Sequence, residues 1–132
     1  MRVVVYGGRD YTNRMMLYAV MDRLHARMRF STVIHGDYRG ADWLARDWAR
    51  LRGIMDEPFP AEWKRLRKAA GPARNQRMVD AKPEFGIEFP GGDGTADMRA
   101  RLVRAGVPYC YVEVHHDWGR LVNATGAEEM IA

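Results

Sequence analysis

Short β-branched and apolar runs alternate along this chain with longer stretches whose apolar residues recur every three or four positions. Residues 2–6, 32–35, 54–59, 85–89 and 107–112 read as strands. Residues 12–29, 41–52, 72–81 and 95–105 read as helices between them. Leu17, Val20, Met21, Leu24 and Met28 keep helical spacing in the first, with Thr12 as its N-cap. Leu44, Trp48 and Leu51 do so in the second, which Gly53 closes. Strands alternating with helices predict βαβ units and an α/β fold: a single Rossmann-like domain over residues 1–132, its mostly parallel five-stranded sheet flanked by helices. Residues 113–132 carry weak signals and are expected to form a C-terminal extension, a short strand or helix.

One helix has an apolar excess. Met15-Met16-Leu17-Tyr18-Ala19-Val20-Met21 is apolar all round, more than one sheet face buries. Either methionines fill gaps in a deep core, or the outer side packs on a second copy, a homodimer through the first helix.

The glycines cluster where strands end. Gly7 and Gly8, Gly36 and Gly40, Gly71, and Gly91, Gly92 and Gly94 fall in four expected loops, each after a strand. Such loops share one edge of a parallel sheet, where ligands bind at the point of strand-order reversal. Glycine lets a phosphate approach backbone amides, and the following helix adds free N–H groups and the positive end of its dipole. Pro90-Gly91-Gly92-Asp93-Gly94-Thr95 has every part of such a site, with Thr95 able to bond a phosphate or cap the helix. Arg9 is placed to meet a phosphate, and Asp10 to accept from a ribose hydroxyl or cap the first helix. Tyr38 and Arg39 stand at a loop tip, open to stacking on or pairing with a ligand. Asp42 falls in the first turn of a helix, where a carboxylate suits the dipole. Arg74 and Asn75 follow Gly71 and Pro72 toward the same edge. No Gly-Lys-Ser/Thr follows any glycine, so this is not a Walker loop, nor is it G-x-G-x-x-G.

Composition adds limits. The formal charge is +4, and 18 of the 21 basic residues are Arg. Arginine suits phosphate, although a GC-rich coding sequence gives the same bias. Six cations and one carboxylate, Glu62, lie between residues 61 and 77, beside the Gly71 turn, so the excess is local. A single cysteine, Cys110, excludes an internal disulfide framework and reads as a buried small hydrophobe. His115-His116-Asp117 reads as a polar tail, because adjacent strand residues do not share one ion, and no metal site is expected. No apolar run reaches membrane-spanning length, and the N-terminal one is too short for a signal peptide, so the cytoplasm is the expected location. Trp43, Trp48 and Trp63 are expected in the core, with Trp63, in a polar stretch, the one worth testing as a stacking platform.

Five ordered motifs carry a resemblance: Tyr6-Gly7-Gly8-Arg9-Asp10; His35-Gly36 with Arg39-Gly40-Ala41-Asp42; Phe59-Pro60-Ala61-Glu62-Trp63; Ala70 through Met78; and Phe89 through Thr95. Together they resemble the YspA-like, cpYpsA-related branch of the SLOG superfamily, from the first strand to about Val112. The resemblance implies a Rossmann-like domain binding nucleotides or nucleotide-derived ligands. Its relatives include the Lonely Guy phosphoribohydrolases, the DNA-processing protein DprA and sensors of NAD-derived signals in bacterial or phage conflict systems. The Lonely Guy enzymes follow an R-K-x-x-M stretch with P-G-G-x-G-T-x-x-E. Here residues 74–78 and 90–98 are similar, but Met98 stands where those enzymes carry the catalytic Glu. Asp97 is one residue away, about 100° round a helix. Methionine neither stabilises an oxocarbenium ion nor activates water. Asp10, Asp42 or Asp93 remain as carboxylates from elsewhere.

The expected function is therefore binding of a nucleotide or an NAD- or ADP-ribose-derived molecule, as a sensor or sequestering protein without a cofactor. The ligand-binding residues are Gly7, Gly8, Arg9, Asp10, Gly36, Arg39, Asp42, Arg74, Asn75, Pro90, Gly91, Gly92, Asp93, Gly94 and Thr95. The alternatives are a nucleoside-monophosphate phosphoribohydrolase and DprA-like single-stranded DNA binding. The last ranks lowest, because little aromatic and basic interleaving exists beyond the Trp63 stretch.

Overall fold

A computed structural model describes residues 1–114, 119–123 and 130–131. Its elements are β1 (Arg2–Tyr6), α1 (Arg14–Met28), β2 (Thr32–His35), α2 (Ala41–Leu51), β3 (Met55–Pro58), α3 (Trp63–Leu66), a 3-10 turn (Arg67–Ala69), α4 (Ala70–Asp80), β4 (Phe85–Glu88), α5 (Asp93–Arg104), β5 (Tyr109–Val114), β6 (Gly119–Asn123) and the two-residue β7 (Met130–Ile131). The sheet order is β3-β2-β1-β4-β5-β6-β7. The first five strands are parallel, and β6 and β7 add to them antiparallel. The five expected strands are thus present, and the segment from Glu113 lengthens the sheet.

Alternation along β1 sorts the core. Val3 and Val5 point to the side of α1 and α2, where Leu17, Met21, Leu44 and Trp48 are buried with Ile87 and Phe89. Val4 and Tyr6 point to the other, packed with Met78, Val79, Met98 and Leu102 of α4 and α5. Helices on both faces of a parallel sheet make this a doubly wound, Rossmann-like α/β arrangement. Between β1 and β4 the strand order reverses, because β2 and β3 build outward on one side before the chain returns to the other.

Several local expectations change. Asn13, not Thr12 or Asp10, caps α1: its side chain accepts from the Met16 N–H at 3.0 Å. Gly71 lies inside α4, which begins at Ala70, so only three of the four glycine-bearing segments are loops; Gly94 likewise lies in the first turn of α5. Pro72 is tolerated there because first-turn amides have no intrahelical acceptor. Leu51 keeps the helical spacing of α2 but is 68% exposed at its end, and the small Ala45 and Ala49 are buried instead. Cys110 is buried as expected, and burial pushes its thiol up to about 12. The apolar excess of α1 has a partial answer in β6. A Cβ on Gly119 would meet Met16, and Leu121 joins the core containing Leu17 and Val20. Met15 stays outward, on the side a second copy of the chain would have to use.

Candidate functional site

The C-terminal ends of the parallel strands open into a cleft of about 980 Å³. Its floor is held by Gly8. The Gly8 N–H donates to the Pro90 carbonyl at 2.9 Å, and the Gly8 carbonyl accepts from the amides of Tyr11 and Ala41, each at 3.2 Å. The loops after β1 and β4 and the start of α2 therefore meet at one residue. Gly91 must be small there, since a Cβ on it would fall 2.7 Å from the Gly8 nitrogen. Neither α2 nor α5 has a side-chain cap: Gly40 and Gly92 stand at their N-cap positions. Both helices turn their positive ends to the strand-order reversal.

Fourteen of the fifteen residues expected to bind a ligand line this cleft. Gly7, Gly8, Arg9 and Asp10 come from the loop after β1; Arg39 and Asp42 from the β2 loop and α2; Arg74 and Asn75 from α4; Pro90 through Thr95 from the loop into α5 and its first turn. Gly36 is the exception. It sits behind the wall, its carbonyl accepting from the Arg74 guanidinium. Arg39 and the exposed Asp10 approach one another at 3.4 Å. Thr95 is buried, and a Cβ on Gly91 would strike its hydroxyl.

Asp42 and Arg74 form the electrostatic centre. The Asp42 carboxylate accepts backbone N–H bonds from Gly36 and Tyr38, which ties the start of α2 to the loop after β2. Burial nevertheless pushes it up to about 7, against the opposing pull of Arg74. Burial likewise lowers the Arg74 guanidinium from its ordinary value, with Asp42 acting against it. Asn75, also buried, donates to the Gly94 carbonyl at 3.2 Å and to Asp97 at 3.0 Å. Asp97 is further held by Arg101 at 2.9 Å, so its carboxylate is engaged although it borders the cleft. Met98 lines the cleft as well.

Among the described residues, two buried side-chain polar atoms have no hydrogen-bond partner: Tyr11 Oη and Arg74 Nε. Both belong to residues lining this cleft. The other buried side-chain polar atoms of the described residues have partners, as folding requires.

Sequence reasoning did not name Tyr6, Tyr11, Lys68 or Met78 as binding residues, and it weighed Asp97 and Met98 only against a catalytic Glu. Tyr11, five positions past β1, carries no signal except nearness to Gly7-Gly8. The basic stretch proves mixed. Arg65 pairs with Glu62, Arg77 donates to the Pro60 carbonyl, and only Lys68 and Arg74 reach the cleft. Trp48 is core as expected, but Trp43 and Trp63 are 41% and 45% exposed. Trp43 is held outside, its indole N–H on Asp37 and Arg46 over its ring.

Two other polar clusters lie behind the cleft, the second touching its lining through Tyr6. His35 accepts the Asp37 N–H at Nδ1, which leaves its Nε2–H to donate to Asp56 at 2.8 Å. Glu88 accepts two bonds from Arg99, at 2.8 and 2.7 Å, and one from Tyr6 Oη. The described residues contain no group of three or more His, Cys, Asp or Glu able to hold a metal ion. His115, His116 and Asp117 lie outside the described residues. No described helix is long and apolar enough to cross a membrane.

Comparison with known proteins adds two findings. Residues 1–66, half of the chain, match the family model described as YspA, cpYpsA-related SLOG family. The chain is also 35% identical over 115 residues to the Gene 61 protein of Mycobacterium phage D29, an alignment spanning 81% of this chain and 92% of that protein. The matched residues 1–66 hold the β1 and β2 loops, while Arg74, Asn75 and the Pro90–Thr95 string lie beyond them.

Proposed function

The chain belongs to the YspA, cpYpsA-related SLOG family, and on that premise we propose that its cleft binds a nucleotide or an NAD- or ADP-ribose-derived molecule. The phosphate lies over Gly8 and residues 91–95, and the protein senses or sequesters the ligand. The observation carrying this reading is the convergence on Gly8 of the α2 start and the loop into α5, two helices without side-chain caps, at the strand-order reversal of a parallel sheet. Two cleft-lining residues, Tyr11 and Arg74, also carry buried side-chain atoms, Oη and Nε, without a protein partner.

Binding is favoured over N-glycoside hydrolysis by the surroundings of α5. Met98 stands where the similar hydrolases carry Glu, and Asp97 is committed to Asn75 and Arg101. Titration calorimetry with AMP, ADP-ribose and NAD tests the reading, alongside chromatography of the same mixtures for released base. Saturable binding without release is expected. A folded sample that binds none of the three contradicts the proposal, and steady release of base replaces it with the hydrolase reading.

A further inference from the structure

Trp63 differs from the other described tryptophans in what its ring nitrogen does. Trp48 donates its indole N–H to Asp22 at 2.8 Å, and Trp43 donates to Asp37 at 3.2 Å. The Trp63 N–H has no protein partner among the described residues, while the ring is 45% exposed and lines the cleft. It opens the short α3 directly after β3, and its far edge lies 3.7 Å from where a Cβ on Gly71 would stand. On its other side is Tyr38, from the loop after β2, with ring centroids 5.8 Å apart and planes inclined by 53°. Tyr38 lines the cleft too.

The strand order places this pair. Along the C-terminal edge the sequence of features is Trp63 after β3, Tyr38 after β2, Gly8 after β1 and Gly91-Gly92 after β4. Adjacent strands are about 4.8 Å apart, so the middle of the aromatic pair lies about 10 Å along the edge from the middle of the glycine pair. That separation suits an extended nucleotide with its phosphate on the helix starts and its base among the rings. Arg39 and Asp10 lie between, at the level of a ribose.

We infer that Tyr38 and Trp63 form the face on which the ligand's base stacks, so that the cleft selects nucleoside phosphates over base-free sugar phosphates. The inference rests on the nucleotide reading of the same cleft and adds the source of its specificity. Trp63 supplies a flat apolar surface and an indole donor at the ring edge, and Tyr38 closes the neighbouring side. Stacking of this kind tolerates different bases, because each has a π-face.

Calorimetric titration of AMP and of ribose 5-phosphate, which lacks the base, tests it. The native chain should bind AMP about tenfold or more tightly than ribose 5-phosphate. Trp63→Ala should abolish most of that preference while leaving the affinity for ribose 5-phosphate within about twofold, and Trp63→Phe should restore most of it. If Trp63→Ala does not fold, Tyr38→Ala and Trp63→Phe carry the comparison: a smaller preference in the first with a largely kept preference in the second is expected. Equal affinity of the native chain for the two ligands overturns the stacking inference while leaving phosphate binding intact. So does a variant that weakens both ligands alike. A native chain that binds neither ligand overturns this inference, and one that also binds neither ADP-ribose nor NAD overturns the nucleotide reading with it.

Discussion

Gly8 and Pro90 are 82 residues apart in sequence, yet the amide of the first donates to the carbonyl of the second at 2.9 Å. This bond fixes the β1 loop against the β4 loop at the point where the sheet reverses its strand order. Around it lie the starts of α2 and α5, which have no side-chain caps, the buried Thr95, and Arg74.

The packing around Gly8 makes Gly40 sensitive. Gly40 has φ +91, and a Cβ on it would stand 2.7 Å from the Arg9 Cα. Backbone strain and overpacking then act together. Gly40→Ala is expected to destabilise the fold by roughly 2–4 kcal/mol, read from urea unfolding. A change below about 0.5 kcal/mol means that this loop does not need the glycine.

The Glu88 carboxylate is buried beneath α5 and depends on Arg99 for two of its three bonds. Arg99→Ala leaves a buried charge held by Tyr6 alone and is expected to cost roughly 2–3 kcal/mol. Arg99→Ala combined with Glu88→Gln should recover part of the loss, because the double variant has no charge to strand. A double-mutant cycle with no coupling refutes the pairing.

Two buried groups pull the pH dependence of stability in opposite directions. Asp42 is raised to about 7 from an ordinary 3.8. Between those values the folded chain keeps a proton that the unfolded chain has lost, so Asp42 makes stability fall as pH rises from about 4 to 7. Burial lowers His35 from 6.5, with the Asp56 bond opposing. The unfolded chain then takes up a proton first, and His35 makes stability fall as pH drops below about 6.5. Asp42→Asn should remove the first effect alone. Its stability relative to the native chain is expected to rise between pH 5 and 8 in parallel denaturation series, and a constant difference would show that Asp42 does not titrate there.

The parts of this molecule visible in the sequence are those set by local chemistry. β1 and β2 keep their expected bounds because short β-branched runs end at Gly7-Gly8 and Gly36-Asp37. The cleft was legible through glycines placed after strands, a pattern that needs only the strand order to bring them together. α3 was not, since four residues from Trp63 to Leu66 are too few to show a period. β6 was not either, because Gly119–Asn123 takes its form from pairing with β5. Gly71 misled because glycine signals a turn, while Ala70 and Pro72 on either side suit a helix start. The free indole N–H of Trp63 and the unpartnered atoms of Tyr11 and Arg74 depend on neighbours distant in sequence, and no local pattern records them.

The most direct test of the binding account is calorimetric titration of ADP-ribose into the native chain and into Gly92→Asp, with thermal melts of both. Nothing lies within 4 Å of a Cβ at Gly92, its φ is −111, and Asp is a favoured N-cap residue, so the variant should melt at or above the native temperature. The new carboxylate would stand at the start of α5, against the ligand's phosphates, and should weaken binding about thirtyfold or more. Saturable binding by the native chain, lost in an equally stable variant, is the predicted result. Undiminished binding by Gly92→Asp, or none by the native chain, would contradict it.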